Sequence, residues 1–403
     1  MPLEISSREY QERFNHLQQL IAESGLDAFV VSSRDSIFYL TGVVYEPFER
    51  PFLIVVRANG SPSFIVPKLD EAHIREQGYP RVESYLEYPA PEGRRWQDKL
   101  FGSLSGVKVI GIEPSFPRAA SDELAAFAPA VCDLVGRLRL VKSPTEVEMI
   151  RRAARYADLG IERILSSAYY NSTVAEGFSR TRGVMLRMIR EVDDWDPLSS
   201  KVLMVPWAAP RSAQPHSVPE VNDRLKKGAH VAVVLTAVNG YAAECERTFF
   251  TSRPSNTMKD AFNTMLSARE LALKRLSTPG IRCSELDAEV NAFLDTRGFA
   301  DNRLHRTGHG IGLGNHEPPW LAEGSDDAIQ PGMVVSIKPG VYIPKGDKDE
   351  DAGGVRHSDT VLVTNNGAEC LTKHGRTLED LVITRWKFVS RARGFLVRGL
   401  LGL

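Results

Sequence analysis

Histidines, carboxylates and one lysine gather in a few stretches of this 403-residue chain, in combinations that can move protons, hold anions or ligate metal. His216 stands in AQPHSVP between Pro215 and Pro219, ring-constrained residues that hold a loop. Glu244 and Glu246 lie in NGYAAECERTFF, which reads as a strand. His305, His309, His316 and Glu317 crowd into HRTGHGIGLGNHEPPW, where Gly308 and Gly310 permit close backbone approach around His309. Lys338 ends the apolar run of SIKPG; were that end to face a cleft, its ammonium would be partly desolvated and seek an anion, with Glu244 and Glu246 as candidate partners. Charge left over there would recognise a substrate carboxylate or a developing oxyanion, which implies an acidic or zwitterionic substrate. Each residue also has a plainer reading. His216 can be a satisfied loop histidine, Glu244 can simply neutralise Lys338, and His305, Arg306 and His357 can serve as structural hydrogen-bonders.

Positioning such groups takes a framework, and the composition supplies one. Hydrophobic content of 42%, charged content of 25% and a formal net charge of -1 describe a folded globular protein with no broad attraction for nucleic acid. Cys132, Cys245, Cys283 and Cys370 show no CxxC spacing, which suggests reduced thiols and a cytoplasmic setting. Ser7 is expected to cap a helix carrying Tyr10, Phe14, Leu17, Leu20 and Ile21, with Gly25 ending it. LDAFVVSS reads as a buried strand and FLIVVRANGSPSFIV as a hairpin turning at Asn59-Gly60 with positive φ. Residues 1–142 therefore form a small α/β domain. Ser143-Pro144-Thr145-Glu146 opens a second domain, 143–384, as a capping box with Pro at the first helical position. Helices near 174–191, 256–277 and 284–297 interleave there with strands at 230–237, 241–250, 332–338 and 359–364.

Five blocks occur in order: AQPHSVP (213–219), NGYAAECERTFF (239–250), HRTGHGIGLGNHEPPW (305–320), PGMVVSIKPGVYIP (331–344) and GGVRHSDTVLVT (353–364). On these the chain resembles the creatinase and Xaa-Pro aminopeptidase (prolidase, peptidase M24) family. The resemblance implies an α+β fold: a pita-bread domain, with helices on the outer face of a curved sheet, behind a smaller creatinase-type α/β domain. It also implies a homodimer. In the family's peptidases two divalent ions sit on two Asp, one His and two Glu. The matching positions here are Val233 or Val234, Glu244, His309, Lys338 and Ser358, so only two keep a ligating type.

Creatinases and ectoine hydrolases share the fold and work without metal. The expectation is accordingly a metal-independent hydrolase, with no cofactor, that cleaves an amide or amidine C–N bond of a small molecule. His216 would be its general acid/base, with Glu246 and His309 as further catalytic groups. Lys338, Glu244, His316 and Glu317 would bind substrate, joined by Phe48 and Arg50 of FERPF, which resembles a creatinase loop closing the partner's site. The competing readings are a Xaa-Pro dipeptidase-like enzyme with one ion on Glu244, His309 and His316, a lyase or isomerase, and a non-catalytic binding protein. Residues 385–403, RWKFVSRARGFLVRGLLGL, have no family counterpart and no acidic residue. As a helix they would place Trp386, Val389, Leu396, Leu400 and Leu403 roughly on one side, the pattern of a helix that docks on a membrane surface or a protein.

Overall fold

The computed structural model describes residues 3–46, 49–87, 89–278, 280–346, 351–385 and 387–403. The chain divides into two compact units, residues 4–140 and 141–403. In the first, a six-stranded mixed sheet runs in the order Val82–Tyr85, Ser63–Pro67, Leu53–Arg57, Ala28–Val31, Ile110–Ile112, Ala130–Val131. The helix Ser7–Glu23 buries Phe14, Leu17 and Ile21 at helical spacing. Its cap is Ser6 rather than Ser7, because the Ser6 side chain accepts from the Glu9 N–H. Gly25 (φ +68°) ends it as expected. The hairpin pairs Leu53 with Ile65, but five residues separate its strands and only Gly60, not Asn59, takes positive φ.

In the second unit, Ser143 and Glu146 close the capping box that opens the helix Pro144–Ser167. Its buried Ile150, Ala153, Ala157, Ile161 and Ile164 lie along one stripe. Gly160 lets it approach the sheet, since a Cβ there would stand 2.6 Å from Val234 Cγ1. The eight-stranded sheet runs Glu317–Leu321, Gly308–Gly310, Val334–Ile337, Ser358–Thr364, Tyr241–Phe249, His230–Val238, Lys201–Trp207, with Gly367–Cys370 also on Ser358–Thr364. The helices Asn256–Leu276 and Cys283–Thr296 pack on each other and on this sheet, completing the pita-bread fold. The helix expected near 174–191 breaks into Val174–Phe178 and Thr181–Glu191.

His230, which drew no attention in the sequence, opens the His230–Val238 strand fully buried. Its Nδ1 accepts from the Ala209 N–H at 2.9 Å, so the proton sits on Nε2, facing the Lys226 carbonyl at 3.1 Å. Burial pushes its pKa down to about 4. Below the unfolded value of ~6.5 the unfolded chain binds the extra proton and the folded chain does not, so stability falls as pH drops from ~6.5 toward 4. His230 alone is expected to account for about 3 kcal/mol of that loss. Urea melts across this range should show a shallower acid slope in His230→Phe.

Candidate functional site

Strand register decides which side chains meet. In the antiparallel ladder Val233 lies opposite Glu246 and Leu235 opposite Glu244, so these four share one face of the sheet. Val234 points the other way, toward Gly160, which leaves Val233 as the residue standing where a family ligand would be. Ser358 lies opposite Glu246, while Ser336 is flanked by His309 and Thr360. The result is a buried row around Glu244, whose Oε1 accepts from both Ser336 Oγ and Ser358 Oγ. Lys338 Nζ stands 3.6 Å from the same oxygen and His309 Nε2 3.7 Å. His316 completes the group, its ring centroid 3.9 Å from that of His309 and its Nε2 3.5 Å from Lys338 Nζ.

Burial alone would raise the Glu244 carboxyl, but the Lys338 ammonium and the two serine hydroxyls outweigh it and hold the group ionised, below the usual carboxylate range. Burial lowers His309 most, and Lys338 and His316 lower it further against the opposing pull of Glu244, so the ring is neutral. Its approach to Glu244 is then a dipolar contact, not an ion pair. His309 Nδ1 meets the Gly310 carbonyl at 2.9 Å, and a carbonyl can only accept, so Nδ1 carries the proton. Nε2 is left as a buried lone pair with no hydrogen-bond partner.

Other sequence candidates are engaged elsewhere. Glu246 is held by Arg356, with Nη2–Oε1 at 3.1 Å and Nε–Oε2 at 2.5 Å, and Arg356 also donates to Tyr342 Oη at 3.0 Å. Tyr342 in turn donates to His305 Nε2 at 2.6 Å, whose Nδ1 donates to the Arg306 carbonyl. Glu246, expected as a further catalytic group, thus has both its oxygens on one guanidinium. Glu317 is likewise buried, 2.9 Å from Lys142 Nζ and accepting from the Gly314 N–H. His357 is not a hydrogen-bonder: among the described residues neither ring nitrogen has a partner, and the ring stands edge-on to Phe262. His216 is exposed on its loop, near enough to His305 and His316 to contribute to lowering the pKa of both. In the first unit Arg50 pairs with Glu87 and Glu49; Phe48 lies outside the described residues. Sequence reading missed Ser336, Arg356 and Tyr342, which only strand pairing brings to the group.

Two ions do not fit here. Val233 has no donor, Ser358 already donates to Glu244, and Lys338 brings a cation of its own to the remaining position. One ion does fit: donor atoms of Glu244, His309 and His316 lie within 4.8 Å of one another, and the His309 lone pair is otherwise unused. Two imidazoles and a carboxylate form a three-ligand set of the kind that holds zinc or another first-row ion with a position left open.

Residues 148–365 match the model of metallopeptidase family M24, and residues 13–151 match the creatinase/prolidase N-terminal domain. The chain belongs to metallopeptidase family M24. Its M24 relatives include a Xaa-Pro dipeptidase of Pyrococcus horikoshii, 26% identical over 91% of this chain and 98% of that protein. A probable dipeptidase PepE of Mycobacterium tuberculosis is 29% identical, over 89% of this chain and 93% of its own length. The crystal structure of dipeptidase PepE from Mycobacterium ulcerans superposes with a TM-score of 0.80 at 25% identity, covering 95% of this chain and 100% of that one. These findings overturn the metal-independent hydrolase expected from the sequence. Dipeptidases match along nearly the whole M24 chain, and the fold gathers a three-donor group that counting family ligand positions undervalued. Loss of a two-ion set is not loss of every ion site.

Proposed function

We propose that this chain is a metal-dependent dipeptidase-like hydrolase, acting on Xaa-Pro or similar dipeptides, with one divalent ion held by Glu244, His309 and His316. The observation that carries the reading is the convergence of these three donors on the unpartnered Nε2 of His309. A bound ion would polarise the scissile carbonyl and lower the pKa of a water beside it. The chain's own residues do the rest. Ser336 and Ser358 fix the Glu244 carboxylate, and the Gly310 carbonyl fixes the His309 tautomer, so both donors are oriented in advance. Lys338, only 16% exposed, presents its ammonium beside them as an anchor for the dipeptide's carboxylate. His216, exposed on its loop, would hand a proton to the departing nitrogen.

Elemental analysis of purified protein should find close to one divalent ion per chain, and chelation should remove both ion and dipeptide hydrolysis. A protein that hydrolyses dipeptides equally well without any ion would refute the reading. Lys338 places a cation beside the ion, so Lys338→Met is expected to tighten zinc binding at least ~10-fold while raising KM through loss of the carboxylate anchor. Calorimetric titration and dipeptide kinetics read the two effects separately. Lys338→Glu should still bind a single ion, because Val233 and Ser358 leave the second position incomplete.

A further inference from the structure

The 14-residue helix Phe388–Leu401 lies on the second unit with its polar side inward. Lys387 Nζ donates to the Leu165 carbonyl at 2.6 Å and Ser390 Oγ to the Ser166 carbonyl at 2.8 Å. Arg391 stacks 4.7 Å over the Tyr169 ring, and Arg398 pairs with Glu176. Gly394 permits this seating, since a Cβ there would fall 1.9 Å from Glu176 Oε2. The outward side is the apolar one: Phe388, Val389, Phe395, Leu396 and Leu400 are 75%, 61%, 71%, 63% and 87% exposed. Trp386 lies outside the described residues.

Beside this face is a cavity of about 390 Å³, lined by Arg163, Arg180 and Arg393 together with Glu176, Ser166 and Ser390. Among the described residues none of the three arginines has an ion pair, and Arg180 Nε is buried without a hydrogen-bond partner. Burial, then the charges of Arg393 and Arg163, hold the Arg180 pKa below its ordinary value, and the one carboxylate in the lining, Glu176, is already taken by Arg398 and Tyr169.

We propose that this helix is a peripheral membrane-docking face, its apolar residues entering an anionic lipid surface while Arg163, Arg180 and Arg393 take a headgroup phosphate. An anionic bilayer offers both things the surface lacks, an apolar layer and phosphate charge, a few ångströms apart. Residues 384–403 contain no Asp or Glu side chain to oppose the approach. A second copy of this chain fits less well, because a two-fold contact through this patch would set arginines against arginines. No described helix is long and apolar enough to cross a membrane, so the contact lies along the surface.

The test is flotation of the full chain with phosphatidylcholine vesicles, with and without phosphatidylserine, at low and high salt. Binding should require phosphatidylserine and weaken with salt. Arg163→Gln and Arg180→Gln should each weaken it about fivefold, and Leu396→Asp combined with Leu400→Asp at least about tenfold. Dipeptide hydrolysis, which uses none of these residues, should be unchanged in all variants and reports an intact fold. Three results would overturn the proposal: no vesicle binding at low salt, binding of inorganic phosphate without vesicle binding, or an oligomer that the double Asp variant dissociates.

Discussion

His309→Ala is expected to remove the bound ion and to lower dipeptide turnover at least about 10³-fold, the loss of several kcal/mol of carbonyl polarisation and water activation. The choice of residue matters. Glu244 is the counter-ion of Lys338 at 3.6 Å and the acceptor for two serines, so its removal strands a partly buried ammonium and confounds catalysis with folding. His309 is neutral and its Nε2 has no protein partner, so truncating it leaves a small void but no orphaned charge. Ion content by elemental analysis, and the rise in melting temperature on adding zinc, should both vanish while the far-ultraviolet dichroism stays that of the parent. Retained ion with lost activity would make His309 a substrate contact instead of a ligand.

Asp359→Ala should cost about 3–5 kcal/mol of stability or prevent folding outright, because it leaves the buried Arg247 guanidinium unpaired and Arg269 with only the exposed Glu270. Asp359 Oδ1 accepts from Arg247 at 2.7 Å and Oδ2 from Arg269 at 2.6 Å, with Thr372 donating to Oδ1; all four side chains are fully buried. Burial would raise this carboxyl, but the two arginines outweigh it and hold it below the usual carboxylate range. Its contribution is therefore present above the unfolded pKa of ~4 and lost as pH falls below it. Asp359 stands one residue from Ser358 and opposite Ile337 and Cys245 in the ladder, so the same substitution loosens the strands that carry Ser358, Lys338 and Glu244. Urea denaturation of Asp359→Ala beside Asp359→Asn, which keeps a hydrogen-bonding shape, measures the charge term.

The Ser143–Glu146 capping box, the strands around 230–250 and the helices after 255 were readable from residue types, because caps and hydrophobic periods are local physics. His309 and Glu244 were readable for a different reason: glycine-flanked histidines and paired carboxylates occur in recognisable order. The partners of Glu246 and Glu317 were not legible, because a carboxylate's availability depends on what is packed against it, and Arg356 and Lys142 lie 110 and 175 residues away.

By itself the sequence determined the family, the pita-bread fold and the loss of a two-ion ligand set, since each follows from residue identity at ordered positions. Only the tertiary structure decided that Val233 rather than Val234 faces Glu244, because side-chain direction in a strand is set by pairing register. It also decided that His316, seven residues beyond His309, returns to within stacking distance of it. The docking helix shows the same division. Its amphipathic pattern was legible, but which side faces the protein was not: Gly394 permits close approach and Glu176 and Tyr169 wait beneath, so the polar side goes inward.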